Sequence, residues 1–150
     1  MKVQSAIRSA TVFNSHPNER LVEWKQFRDA IESSATPLED VAELWSHAPF
    51  VSTFLNPHKS NSWPDPWHLI LDGRFDDLAI VLGMLYTFQL TQRFMKSTFE
   101  IHMSIVDENK SSTYWLVVDS RYVLNYHIKQ VVALDAIEGI PVSIIYTTAS

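Results

Sequence analysis

The residues best suited to chemistry are a few histidines and the acids near them. His102 lies in Phe99-Glu100-Ile101-His102-Met103-Ser104-Ile105, where apolar and polar residues alternate, and a period of two predicts a half-buried strand. Asp119 closes the next apolar run, residues 114–118. A base on one strand, oriented by a carboxylate on the next, is half of a nucleophilic triad. Glu100, His102 and Ser104 share one face of their strand. A His-x-Ser pair there could serve phosphoester chemistry if a second such motif faced it. The other candidate, His58-Lys59-Ser60, falls in a Pro-rich loop, and the plain alternative is a solvated sheet face. His68, Asp72 and Asp76 are spaced i, i+4, i+8 with Asp77 adjacent, and one unbroken helix would align them for a metal. Gly73 interrupts that helix. Capping and first-turn charge is therefore the preferred reading, and neither a metal nor a cofactor is expected.

The most unusual local feature is Ser62-Trp63-Pro64-Asp65-Pro66-Trp67-His68. Two indoles stiffened by two prolines make an aromatic surface, and Trp is enriched at interface hot spots. Trp63, Pro64, Asp65, Pro66, Trp67 and His68 are thus the candidate binding residues. The competing reading buries both indoles as core caps under a long loop.

Composition removes several classes of function. Cysteine is absent, which excludes disulfides, Cys-ligated zinc and thiol nucleophiles together. Glycine occurs three times, so a phosphate-cradling Gly-rich loop is not expected. A net charge of −5 with scattered Lys and Arg lacks the footprint of a nucleic-acid binder. The opening MKVQSAIRSATVF has no sustained apolar core and predicts no signal peptide. The longest apolar stretch, residues 78–90, is broken by Gly83, Thr87 and Gln89 and is too short to span a bilayer. No membrane partner is expected.

These residues need elements to hold them. Leu21, Trp24, Phe27 and Ile31 recur at helical spacing and predict a helix over 18–33, with Glu23, Lys25, Arg28 and Asp29 mostly on its polar side. Thr36-Pro37-Leu38-Glu39 reads as a capping box opening a second helix, which Pro49 ends. Pro66 starts a short helix through Leu71, and Asp72-Gly73 breaks it. A third long helix is expected over 74–92, with Phe75, Leu78, Ala79, Leu82, Leu85 and Tyr86 as its buried stripe. Strands follow at 99–105, 114–118, 122–127, 129–133 and 142–147, with a polar turn at 107–110 and a turn or short helix at 135–139. Helices first and strands second predict one α+β domain. Three long helices and a short one should pack on an antiparallel sheet of four to five strands.

Two resemblances extend this reading. A helix opening after Gly73, then a strand with His102, then a strand ending in Asp119 resembles the core of the transglutaminase-like, papain-related superfamily. That family has a Cys at the helix start, where this chain reads Gly73-Arg74-Phe75-Asp76-Asp77. The resemblance therefore implies a degenerate or atypical hydrolase or transferase using His102 and Asp119. Secondly, Trp63-Pro64-Asp65-Pro66-Trp67 followed by Gly83-Met84-Leu85-Tyr86-Thr87 resembles small bacteriophage proteins with a W-P-x-P-W motif ahead of a G-[ILM]-x-Y-T helix. This second resemblance implies a phage protein in a virion or in the host cytoplasm. Its expected role is non-enzymatic: a structural or assembly component contacting protein partners, either copies of itself or other virion proteins. A small inhibitor of a host defence system is a further alternative.

Overall fold

A computed structural model describes residues 9–51, 55–104, 112–137 and 140–148. Five α-helices come first: α1 (Ser9–Asn14), α2 (Pro17–Ile31), α3 (Pro37–Trp45), α4 (Pro66–Asp72) and α5 (Asp77–Gln89). Five strands follow: β1 (Phe99–Ser104), β2 (Thr113–Val118), β3 (Tyr122–Leu124), β4 (Val131–Ala133) and β5 (Ser143–Thr147). This is the α+β plan expected from the chain. Ile105 and the turn at 107–110 lie outside the described residues, as do Glu138 and Gly139 of the expected 135–139 turn.

The sheet is antiparallel with order β4-β3-β2-β1-β5. It is a simple meander only through β4. The last strand returns to the opposite edge beside β1, with a register shift between Ile101 and His102. The third strand is also shorter than its alternation suggests. It stops at Leu124 because Asn125 takes a left-handed conformation (φ 74°), which Asn tolerates better than most residues.

Helix α5 is the axis of the molecule. It packs on α3, on α4 and on the sheet through β2, so it is apolar nearly all round rather than along one stripe. Val81, Met84, Thr87 and Phe88 are buried along with the expected Leu78, Ala79, Leu82 and Leu85. It starts three residues later than its pattern suggests. Asp76 is the N-cap, its carboxylate accepting from the Ala79 N–H at 2.7 Å and the Leu55 N–H at 3.1 Å.

Gly83 lets α3 close on α5. A Cβ there would come within 2.2 Å of the Trp45 ring, which meets Phe13 and Phe75 edge-on in a three-ring cluster. Thr87, one turn on, gives its hydroxyl proton to the Gly83 carbonyl (2.7 Å). Its oxygen accepts the indole N–H of both Trp24 (3.0 Å) and Trp45 (3.1 Å). Helices α2, α3 and α5 are thus tied at one buried oxygen, and a buried indole N–H without such a partner is costly.

Two expectations about helix ends and faces need correction. The capping box at Thr36 does not form: Thr36 makes no cap bond to the backbone. Its hydroxyl, with that of Ser34, instead donates to Asp40, one position beyond the expected Glu39. Arg28 is not on a solvated face. It is buried, with its guanidinium 4.5 Å from the Trp24 ring centre, and burial lowers its pKa against the raising effect of Asp29. The α4 terminus behaves as expected. Gly73 (φ 69°) is the left-handed C-cap, and Arg20 donates to the Leu71 carbonyl at 2.9 Å so closely that a Cβ on Gly73 would meet its guanidinium.

Candidate functional site

The Trp-Pro segment spends most of its polar groups on the fold. Trp63 is half-buried, packs near Tyr146, and donates its indole N–H to the Asn56 carbonyl at 2.8 Å. The Pro64 carbonyl accepts the Tyr86 hydroxyl at 2.6 Å. Asp65 caps α4, taking the His68 backbone N–H (2.8 Å) and ring Nδ1 (2.9 Å), and these bonds hold its carboxyl below the usual range. Trp67 remains 45% exposed and meets Trp24 edge-on at 6.0 Å. The two halves of the W-P-x-P-W and G-[ILM]-x-Y-T pattern are therefore partners inside the fold, joined through Pro64 and Tyr86. Burial, with Tyr146 and Asp65 nearby, pushes the Tyr86 phenol up to about 12.

The structure does not bring His102 and Asp119 together. His102 pairs across the ladder with Trp115, while Asp119 lies beyond Val118, the partner of Phe99. Four residues of strand, about 13 Å, separate the two levels. Asp119 accepts from the Thr98 N–H (2.9 Å) and the Ser97 hydroxyl (3.1 Å), which ties down the start of β1. His102 Nε2 instead lies 2.8 Å from Glu100 Oε1, two residues away on its own strand face. Nor is that face solvated. His102 and Ser104 are buried there, beside a second small core of Trp115, Val117, Val123 and Ile137, and the Ser104 hydroxyl has no hydrogen-bond partner among the described residues. Alternation gave the right face but not its burial, because the cover comes from the 3₁₀ turn Leu134–Ile137 and residues distant in sequence. The possible metal set is also dispersed: Asp76 caps α5, Asp72 ends α4, and no cluster of three or more His, Asp or Glu occurs among the described residues.

A cleft with a largely apolar lining lies between α3, α5 and the β3–β4 turn. Its volume is about 270 Å³, and it is partly open to solvent. Ala42, Trp45, Ile80 and Met84 make an apolar floor, and Asp77, Asn125, His127 and Lys129 add polar groups. Phe50 and Ile128 stand at its edge, 65% and 73% exposed.

The Asp77 carboxylate is fixed in this cleft. One oxygen accepts from the Asn125 amide (3.2 Å) and the other from the Tyr114 backbone N–H (3.1 Å). The Asn125 amide also donates to the Tyr114 carbonyl (2.9 Å). Burial raises the Asp77 pKa most, with Asp76 adding to it, and the two hydrogen bonds act the other way. Each carboxylate oxygen can accept more than one bond, so Asp77, which lines the cleft, keeps acceptor capacity, and the Asn125 side-chain oxygen has no partner among the described residues. Asn125 and Lys129 both take positive φ (74° and 66°), so the turn holds a shape that a lysine would not choose.

An apolar pocket with few fixed polar groups and a perturbed carboxylate is where ligands tend to bind. The chain offered one partial signal, a pair of acids opening the most apolar helix. Asp76 acts as the cap, but the role of Asp77 as cleft carboxylate depends on Asn125, 48 residues away. No protein-family model, curated protein or solved structure matches this chain.

Proposed function

We propose that the protein is a non-enzymatic component that works by contact with protein partners, and that it docks them through the α3–α5 cleft. The observation that carries this reading is the pairing of an apolar floor with Phe50 and Ile128, two large apolar side chains left 65% and 73% exposed at its edge. Hot spots of interfaces are anchors that fill pockets surrounded by contacts that exclude water, and this cleft supplies both parts. The virion or assembly setting, in a bacteriophage or its host's cytoplasm, rests on the Trp63–Thr87 pattern alone. The hydrolase or transferase alternative loses its motivating geometry, since His102 and Asp119 serve different ends of the sheet.

Site-specific photo-cross-linking tests the proposal. A benzophenone side chain at position 128 or 50 should capture one defined partner, recovered again in purified particles or assembly intermediates. The same group at Val22, exposed on α2, should capture none. Equal labelling from all three positions, or a chain that stays monomeric and absent from particles, would overturn it.

A further inference from the structure

Arg28 is a buried cation whose donors the fold does not use. Arg20 spends a guanidinium donor on the Leu71 carbonyl, and Arg93 spends one on the carbonyls of Ile31 and Ser34. Arg28 forms neither a hydrogen bond nor an ion pair among the described residues. Yet it is only 8% exposed, and its Nε is sealed from solvent without an acceptor. What holds it is aromatic: its guanidinium carbon lies 4.5 Å from the Trp24 ring centre and 5.8 Å from that of Trp67. Cation–π attraction places the charge but gives its N–H groups no acceptor. Burial lowers the Arg28 pKa, as for a charge short of solvation, and Asp29 acts the other way.

The acids nearest in the chain are committed elsewhere. Asp29 takes the Lys25 ammonium at 2.9 Å. Glu32, one turn on from Arg28, accepts the backbone N–H groups of Gln92 and Arg93. Asp65 caps α4 and meets the His68 ring at 2.9 Å. Trp67 stands beside the cation 45% exposed, and its indole N–H has no partner among the described residues, whereas that of Trp24 is spent on Thr87. The unspent groups here are all donors, set against an exposed aromatic ring.

We propose that Arg28 and Trp67 form a binding site for a small aromatic carboxylate, its oxygens meeting the guanidinium and its ring resting on the exposed part of the Trp67 indole. The site shares no residue with the α3–α5 cleft and does not depend on the docking reading. Guanidinium pairs with a planar carboxylate through two parallel N–H···O bonds. One cation balances one negative charge, whereas a phosphate monoester carries about −1.5 to −2 at neutral pH and brings more than the site offsets. A neutral ligand leaves the desolvated cation without a counter-charge. A second ring on Trp67 extends the edge-on pair that Trp24 and Trp67 already make.

The test titrates the intact chain at neutral pH with phenylacetate, its neutral look-alike phenylacetamide, acetate and phenyl phosphate, followed by NMR of the backbone and side-chain N–H groups. Phenylacetate should shift the Trp67 indole N–H and the Arg28 Nε–H. Phenylacetamide should bind at least tenfold more weakly, acetate several-fold more weakly, and phenyl phosphate no tighter than phenylacetate. Arg28→Met keeps an apolar stem against Trp24 and should erase the preference for phenylacetate over its amide. Should that variant misfold, Trp67→Ala, which removes a half-exposed ring and leaves the cation, should reduce phenylacetate to the level of acetate. Equal binding of phenylacetate and phenylacetamide would overturn the assignment. So would acetate matching phenylacetate, phenyl phosphate binding more tightly, shifts confined to other surfaces, or binding that survives both substitutions. Cross-linking from positions 50 and 128 reads a different surface, so failure of either reading leaves the other standing.

Discussion

In the knot of Trp24, Trp45 and Thr87, both indole N–H groups and the hydroxyl are satisfied inside the fold. In the Asp77 cleft, less than one helix length away on the same α5, two acceptors keep spare capacity and two large apolar side chains stay in water. Both regions use Trp45, which donates on one side to Thr87 and lines the cleft on the other. The difference separates architecture from function. A group closed on a neighbour within the chain stabilises the fold, while a fixed group left with capacity is available to something outside it. By that measure the conspicuous Trp-Pro segment belongs mostly with the knot, and the ordinary-looking Asn125–Lys129 turn belongs with the site.

The knot should break most sharply at Gly83. In Gly83→Ala the new methyl would lie 2.2 Å from an indole that is hydrogen-bonded and packed in a cluster with two phenyl rings, so the ring cannot slide away cheaply. Overpacking of this kind should cost about 3 kcal/mol or more. For a chain of this size that is a fall in Tm of roughly 6–12 °C, read by thermal circular dichroism. A fall under about 2 °C would mean that α3 does not need this close approach.

Thr87→Val comes next. The shape is kept, but two indole N–H groups lose their acceptor, and a cost of about 2–4 kcal/mol follows from two unsatisfied buried donors. Thr87→Ser keeps the hydroxyl and should recover more than half of that loss in urea denaturation. If Ser and Val behave alike, methyl packing rather than the shared oxygen holds the helices.

Tyr86→Phe tests the link between the Trp-Pro segment and α5. Removing the bond to the Pro64 carbonyl should cost about 1 kcal/mol at neutral pH. The phenol's folded pKa is raised to about 12, above its unfolded value near 10. Its contribution is therefore complete below pH 10 and is lost as pH rises towards 12, on the order of 1 kcal/mol once solvent screening is allowed for. The difference in denaturation midpoint between wild type and variant should shrink across that window. A constant difference would show that the hydroxyl adds no pH-dependent stability.

How much of this was legible depended on whether a residue's role is set locally. The change of hydrophobic period after Phe94 and the Pro and Gly punctuation were enough for the α+β plan, the break at Gly73 and most strand positions. The return of β5 to the β1 edge was not legible, because nothing between residues 134 and 142 specifies which edge is free. Trp63 and Trp67 drew attention as a pair, but only the Asn56 carbonyl and Trp24 decide how much of each indole is left over. His102 and Asp119 matched a triad in strand order, yet antiparallel register sets them at different levels of the ladder. Asp77 reads as an ordinary first-turn acid until Asn125 and Tyr114 come beside it.

The smallest expected change in stability is at Asp77, and it discriminates best between the two regions. Its folded pKa is raised, so the fold favours the protonated carboxyl. The stability this group contributes is present at low pH and is lost as pH rises through the folded pKa. At pH 7 the ionised form is held at a cost, and Asp77→Asn should leave Tm unchanged or raise it. On acidification the wild type should gain on the variant. Groups common to both chains, such as Asp65 with its lowered pKa, cancel in that difference. Asp76, Tyr114, His127 and Lys129 also lie near the carboxyl or line the cleft, so the comparison is best made in backgrounds that keep all four. A residue serving only the architecture, as Thr87 does, should lose stability when its polar atom is altered. If Asp77→Asn instead lowers Tm by as much as Thr87→Val, the carboxylate is a structural link between α5 and β2, and the contrast between knot and cleft disappears.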